Sequence, residues 1–351
     1  MNVRDAHSNL TKLLPARRVG AWYLKEFPDS DGPSVFSCFH CGGGSTMGYK
    51  LAGCRVLGGV EIDPRMSALY VANNSPNHEY VEGVQDFTKR DNSTLPKELF
   101  ELDVLDGSPP CSSFSLAGSR EKAWGTKKKF REGQAVQVLD DLFGEFLKVA
   151  GKLRPKVVIA ENVKGMLAGN AKGYIREVLA GFKALGYEPQ LFLLDASRAG
   201  VPQVRERVVF VARRVDLKLA PLVLMLDEKR VALREAFAGL PEDTTEDTTE
   251  RRRKWAGAAV GGVGKVFRTG ARFGFFKKAS PLTPAPTLQA GATLWHWAHR
   301  RLLNRGEVIR VSSFPEDYDF GREHPHYVCG MSVPPFLMQR VALALREQWL
   351  G

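Results

Sequence analysis

From Ser34 onward the apolar positions fall into short unbroken runs separated by turn residues and by stretches that read as helix. SVFSCF (34–39) is the first run, STMGYKLAG (45–53) a helix, and CRVLGGVEI (54–62) the second run. Runs of this length, bounded by Gly and Pro, are the mark of strands buried on both faces. Further helices are expected at about 64–73 and 134–153, and further strands near 101–106, 156–160, 190–194 and 207–212. Strands alternating with helices imply an α/β, doubly wound, mostly parallel sheet covered on both sides. After Arg214 the alternation stops: a helix around 227–239 leads into PEDTTEDTTE, then RRRKW, then basic Gly- and Phe-rich sequence to Lys278. The pattern predicts an N-terminal extension (1–33), a main domain (34–214) completed by a C-terminal helical segment (319–351), and a smaller second domain (215–318).

Composition adds little to the fold but narrows the partners. The chain is 44% hydrophobic and 25% charged, ordinary for a globular protein. No apolar run reaches the roughly 18 residues needed to span a bilayer, and MNVRDAHSNLTK lacks a signal-peptide core, so a cytoplasmic protein with no membrane partner is expected. Five cysteines at irregular spacing give no disulfide framework. Cys38 and Cys41 form a CxxC, but no second pair completes a zinc site, so no metal is expected. The net charge of +11 suits a polyanionic partner and equally suits simple solubility, so charge alone does not choose between them.

Four stretches carry candidate chemistry. In LDVLDGSPPCSSFS (102–115) a strand ends in Pro109-Pro110 and presents Cys111, a thiol nucleophile, where open α/β sheets gather their ligands. In FHCGGG (39–44) a Gly-rich turn between strand and helix lets backbone approach a ligand and bares helix N–H groups. Glu61 ends the second strand and can accept both ribose hydroxyls of a nucleoside cofactor, or else favour the helix starting at Pro64. VVIAENVKGML (157–167) puts Glu161 and Asn162 at a strand's end, and in GVPQVRERVVFVARR (200–214) Gln203, Arg205 and Arg207 alternate onto one face.

Together these stretches resemble the DNA (cytosine-5) methyltransferases. Pro-Pro-Cys with a following Phe-Ser, Glu161-Asn-Val163 and Gln203-x-Arg205-x-Arg207 match that family's signatures in order, and Phe39, Gly43 and Gly44 match its cofactor loop. RRLLNRGEVIRVSSFP (300–315) and Gly330, Ser332 and Val333 resemble its later segments. The departures are Cys41 at the loop's first glycine, Gly83-Val84 where an adenine-contacting Asp is expected, Asn304-Arg305 for Thr-Pro, and Met331 for an Asn. The resemblance implies S-adenosylmethionine as cofactor, held by Phe39, Gly43, Gly44, Glu61, Val84, Pro110, Ser332 and Val333. It implies catalysis by Cys111, Glu161, Arg205 and Arg207 on a cytosine flipped out of double-stranded DNA. DNA contacts are expected from Gln203 and from Arg251, Arg252, Arg253, Lys254, Arg268 and Arg272, which interleave with aromatics in the basic segment. A monomer with no obligatory protein partner is expected. Two other readings stay open: a related enzyme acting on tRNA, and a catalytically silent DNA-binding regulator, against which the intact catalytic set argues.

Overall fold

The computed structural model describes residues 21–28, 30–110, 127–128, 137–138, 142–167, 171–246, 260–261, 277–291 and 294–351. Seven strands form one sheet: β1 (Ser34–Cys38), β2 (Arg55–Val60), β3 (His78–Tyr80), β4 (Val104–Gly107), β5 (Val157–Val163), β6 (Tyr187–Asp195) and β7 (Glu206–Arg214), in the spatial order β3-β2-β1-β4-β5-β7-β6. The pairs β1–β2, β2–β3, β1–β4 and β4–β5 are parallel, and β7 runs antiparallel to both β5 and β6. Every residue of β1 and β4 is buried, as expected of parallel strands covered on both faces. Side chains alternate across the pleat. Val35, Val104, Val157 and Ile159 therefore join one apolar cluster, while Phe36, Leu105, Val158 and Ala160 join the other.

The chain leaves β1 toward β2 and β3 on one side, then returns to lay β4 on β1's other side. Such a reversal opens a crevice at the carboxyl ends of the two strands. Two segments meet there: the loop 39–43 after β1 and Ser108–Pro110 after β4. Helix α1 (Gly44–Leu51) follows the first loop and is buried along its whole length. Next come α2 (Pro64–Asn74), α3 (Val84–Lys89), α4 (Leu142–Leu153), α5 (Ala171–Ala184), α6 (Leu233–Ala236), α7 (Arg305–Val311), α8 (Pro325–Met331) and α9 (Pro335–Leu345). The stretch Pro325–Leu350 is long and apolar enough to cross a bilayer, but it is mostly buried inside the fold and Ser332–Pro334 interrupts it.

Several elements depart from the sequence expectations. The helix expected over 134–153 begins at Leu142, because Gln137–Val138 pairs antiparallel with Lys127–Lys128. The helix expected around 227–239 shrinks to α6, since Leu233 N and Arg234 N donate to Thr283 O and Pro281 O instead of continuing an upstream helix. Trp22 is buried and its indole N–H donates to Ser313 O at 3.0 Å, so the end of the N-terminal extension joins the fold. Leu222, Leu233, Ala285, Leu288, Val308 and Phe314, all within 215–318, share a cluster with Val35 and Val104. Among the described residues the core thus runs through the boundaries expected at 33 and 214.

Helix α9 packs on α1 at a glycine. A Cβ on Gly48 would lie 2.6 Å from both the Pro335 carbonyl oxygen and Met338 Cβ. Gly48→Val should therefore destabilise by about 1–3 kcal/mol through overpacking, read as a lower urea midpoint with unchanged slope.

Candidate active site

The loop after β1 is wound in an unusual way. Phe39 (φ 57°), Cys41 (φ 51°) and Gly43 (φ 86°) are all left-handed, a conformation that costs about 1–2 kcal/mol for a residue with a Cβ. Side chains from elsewhere hold it. Glu61 Oε2 accepts from Cys41 N (3.0 Å), His40 Nδ1 lies 2.9 Å from Cys41 O, and Tyr318 Oη donates to Gly42 O (2.7 Å). The backbone adds Gly43 N→His40 O at 2.8 Å. At Gly44 a Cβ would stand 2.3 Å from Val333 O, so only glycine lets the Ser332–Val333 segment close over the start of α1.

Glu61 follows β2 directly. Its Oε1 accepts from Asp63 N at 2.9 Å, and burial raises its pKa. The N-cap of α2 is Asp63, which accepts from Arg65 N (3.0 Å), so the helix-favouring duty belongs to Asp63 and not to Glu61. The donor set suits a nucleoside with a charged tail. Glu61 offers a carboxylate to ribose hydroxyls, α1 opens with no side-chain cap over its N-terminal N–H groups, and Phe39 and Val84 belong to one apolar cluster. Val84 is the buried first residue of α3, where an adenine-contacting acid was expected, and the nearby Asp86 pairs with Lys89 at the surface.

The loop that precedes Cys111 is anchored on both sides. Ser108 N donates to Cys38 O of β1 at 3.3 Å, and Asn162 Nδ2 of β5 donates to Pro109 O at 3.1 Å. Cys111 itself lies outside the described residues, as do Arg251, Arg252, Arg253, Lys254, Arg268 and Arg272. Beside Asn162, Glu161 is 8% exposed and its Oε1 stands 2.7 Å from Arg207 Nε. The antiparallel register pairs Val163 with Arg207, which brings the β7 guanidinium to the end of β5.

Gln203 and Arg205 lie just before β7 and are more deeply buried than Arg207. Gln203, expected at the DNA, is 1% exposed; its Oε1 accepts from Leu288 N (2.9 Å) and its Nε2 donates to Val311 O (3.2 Å). Arg205 is 3% exposed and donates to Leu288 O (3.1 Å), Gly330 O (3.1 Å) and Ser332 O (3.0 Å). Burial and the neighbouring Arg207 charge push its pKa down to about 9, which leaves it a cation at neutral pH. Both side chains are spent on internal backbone. Their geometry is that of a clamp and not of groups displayed to a duplex or a base.

One buried acid escaped the sequence reading. Asp106 of β4 accepts from Ser45 Oγ (2.6 Å), Ser37 Oγ (3.2 Å) and Tyr49 Oη (3.3 Å), joining β4 to β1 and α1 just below the crevice. Its only sequence signal is an acid inside an apolar run, which surface acids share. Among the described residues no cluster of three or more His, Cys, Asp or Glu could hold a metal.

With the fold and site in place, the comparisons decide the family. A profile described as "C-5 cytosine-specific DNA methylase" matches residues 34–254. The chain belongs to that family. It is 27% identical over 348 residues to the Type II methyltransferase M.NgoPII of Neisseria gonorrhoeae, covering 89% of this chain and 95% of the relative. It is 26% identical over 330 residues to M1.HphI of Haemophilus parahaemolyticus, covering 88% and 85%. Solved structures share the fold. A prophage-encoded E. coli protein assigned as a DNA modification methyltransferase superposes with TM-score 0.69 at 19% identity, covering 90% of this chain and 99% of that one. The S. pombe Dnmt2 methyltransferase gives 0.59 at 16% identity, covering 90% and 98%. The enzyme is a DNA cytosine-5 methyltransferase and its cofactor is S-adenosylmethionine.

Burial raises the Asp106 pKa from 3.8 to about 6 against the pull of its three hydroxyl donors, with Glu161 raising it further. A carboxyl whose folded pKa lies above its unfolded value binds more protons when folded, so stability falls as pH rises from about 4 to 6. Relative to wild type, Asp106→Asn should therefore gain on the order of 3 kcal/mol between about pH 4 and 7. Urea titrations at the two pH values give that difference directly.

Proposed function

We propose that this enzyme methylates C5 of a cytosine within a short specific site in double-stranded DNA, on a base flipped out of the helix. The observation that carries this reading is the buried Glu161–Arg207 pair at the end of β5, beside the anchored loop that leads to Cys111. Phe39, Gly43, Gly44, Glu61, Val84, Pro110, Ser332 and Val333 would hold S-adenosylmethionine, which when bound supplies an electrophilic methyl group. The fixed residues then divide the work on the base.

The Cys111 thiolate adds to C6, moving the C5–C6 π electrons onto C5 and making that carbon the nucleophile. Glu161 grips the N3 and amino edge and supplies the proton that N3 takes up as the ring accepts the thiolate. Arg207 orients Glu161 and faces the O2 side of the ring. Once C5 is alkylated, a base removes its proton; the C6–sulfur bond breaks, the ring double bond re-forms, N3 returns its proton to Glu161, and the thiolate leaves. Arg205 serves as a positioning residue, since its guanidinium is bound to three carbonyls.

The basic segment with Arg251, Arg252, Arg253, Lys254, Arg268 and Arg272 would supply phosphate contacts and target recognition within a smaller region of about 215–318 that shares an apolar cluster with the main sheet. Similarity to Type II methyltransferases supports a protective role beside a restriction enzyme.

Bisulfite sequencing of DNA from cells expressing the chain tests the activity and its site together. Protected cytosines should recur in one short context and vanish with Cys111→Ala; retained protection in that variant sinks the nucleophile assignment. Glu161→Gln should lower kcat by about 10²–10⁴-fold, the range lost with a general acid–base group, measured by tritiated methyl transfer to DNA, with tRNA as the parallel substrate.

A further inference from the structure

The cofactor loop holds a contradiction that its neighbours resolve. Cys41 occupies a left-handed position (φ 51°) at which the family resemblance places glycine. Both of its flanking peptide groups are seized by side chains: Glu61 Oε2 takes the Cys41 N–H at 3.0 Å, and His40 Nδ1 sits 2.9 Å from the Cys41 carbonyl. The other ring nitrogen, His40 Nε2, lies 3.1 Å from Glu79 Oε1 on β3. A carbonyl oxygen only accepts, and so does an ionised carboxylate. The Cys41 carbonyl thus requires the hydrogen on Nδ1, and with a second hydrogen on Nε2 facing Glu79 the ring is an imidazolium.

The surroundings fit a buried cation. The His40 side chain is 0% exposed and stacks on Tyr70 of α2 with 3.8 Å between centroids. Ser67 Oγ, also on α2, donates to the same Glu79 oxygen. The groups facing the ring are Glu79 from β3, Glu61 after β2, the neutral Tyr70 and Ser67 from α2, and the Cys41 thiol, which burial and the Glu61 charge push up to about 12. Burial alone would lower the imidazole pKa; the Glu79 hydrogen bond and the charges of Glu79 and Glu61 outweigh it, and the net direction is upward.

We propose that protonated His40 is a positioning residue that locks Cys41 in its left-handed conformation by donating to Cys41 O and Glu79 at once, so that the loop is preformed for S-adenosylmethionine; when His40 gives up a proton its one remaining N–H serves only one of the two acceptors, and the lock loosens. The inference rests on the reading that the cofactor binds at residues 39–44 and Glu61. The sign follows from the raised folded pKa: the doubly donating ring is fully present below about pH 6.5, the unfolded value, and its extra stabilisation of the loop is lost as pH rises through the folded one. Glycine at position 41 needs no such lock.

Calorimetric titration of the full chain with S-adenosylmethionine, between about pH 6 and 8.5, tests both halves. His40→Gln should weaken binding about tenfold at the acid end, the equivalent of a left-handed residue's cost, and by less than about twofold in the Cys41→Gly background. The fall in wild-type affinity with rising pH should exceed that of His40→Gln. Equal losses in both backgrounds, or a pH slope unchanged by His40→Gln, overturns the inference. Should His40→Gln fail to unfold cooperatively in a thermal melt, Glu79→Gln makes the same comparison from β3 with the ring intact. Wild type that binds no S-adenosylmethionine at any pH overturns the cofactor-loop reading itself, a separate result.

Discussion

A missing Cβ at Gly44 lets the Val333 carbonyl come where any other side chain would stand, and much of the active end hangs on that contact. The segment 330–333 is thereby pressed against the cofactor loop from one side. Arg205 grips it from the other, donating to the Gly330 and Ser332 carbonyls. The same guanidinium takes Leu288 O while Gln203 takes Leu288 N. One short stretch before β7 thus gathers the cofactor loop, the closing segment and the chain returning from the basic region. Removing Arg205 would take this donor from two buried carbonyls, Leu288 O and Ser332 O, each a cost of about 1–3 kcal/mol, and from the half-buried Gly330 O. That is a structural burden as large as many catalytic ones.

The catalytic strands are arranged by the same logic of anchored ends. β1 and β5 hold the loop after β4 from opposite sides, through Cys38 O and Asn162 Nδ2. Pro109 carries the second of those anchors and Pro110 follows it, so little backbone freedom remains before Cys111. Glu161 and Arg207 stand beside this loop, the ion pair bridging β5 and β7. A buried pair of this kind is weak as a stabiliser and strong as an orienting device, since breaking one partner strands the other's charge. Its placement at the site and not in the core agrees with that division.

Which of these features the sequence discloses follows from what a pattern encodes. Strands β1, β4 and β5 are legible because burial on both faces produces unbroken apolar runs around Val35, Leu105 and Ile159. The reversed direction of β7 is not, since an apolar run carries no polarity. β3, with only three residues of intermediate burial, leaves no run to find. Alternation puts Gln203, Arg205 and Arg207 on one face in the sequence, but period two says nothing of depth or of where the strand starts, and β7 begins only at Glu206. Two of the three proved to be buried in backbone contacts, while Arg207 alone reaches Glu161. The roles of Asp106 and Asn162 depend on partners up to 69 residues distant in sequence, and no local spacing reports them.

Two proton-binding groups, Asp106 and His40, lie beneath and within the cofactor loop, and both hold their protons more tightly in the folded protein. One is an acid whose pKa burial raises, the other a base whose pKa neighbouring carboxylates raise, and linkage gives them the same sign: each favours order toward low pH. A thiol nucleophile pulls the other way, because only its thiolate attacks and the thiolate fraction grows with pH. The scaffold and the chemistry of such a site therefore share a window bounded on opposite sides by different groups. The acid limb of a rate profile would belong to the nucleophile, and the alkaline limb to the loop that binds the cofactor.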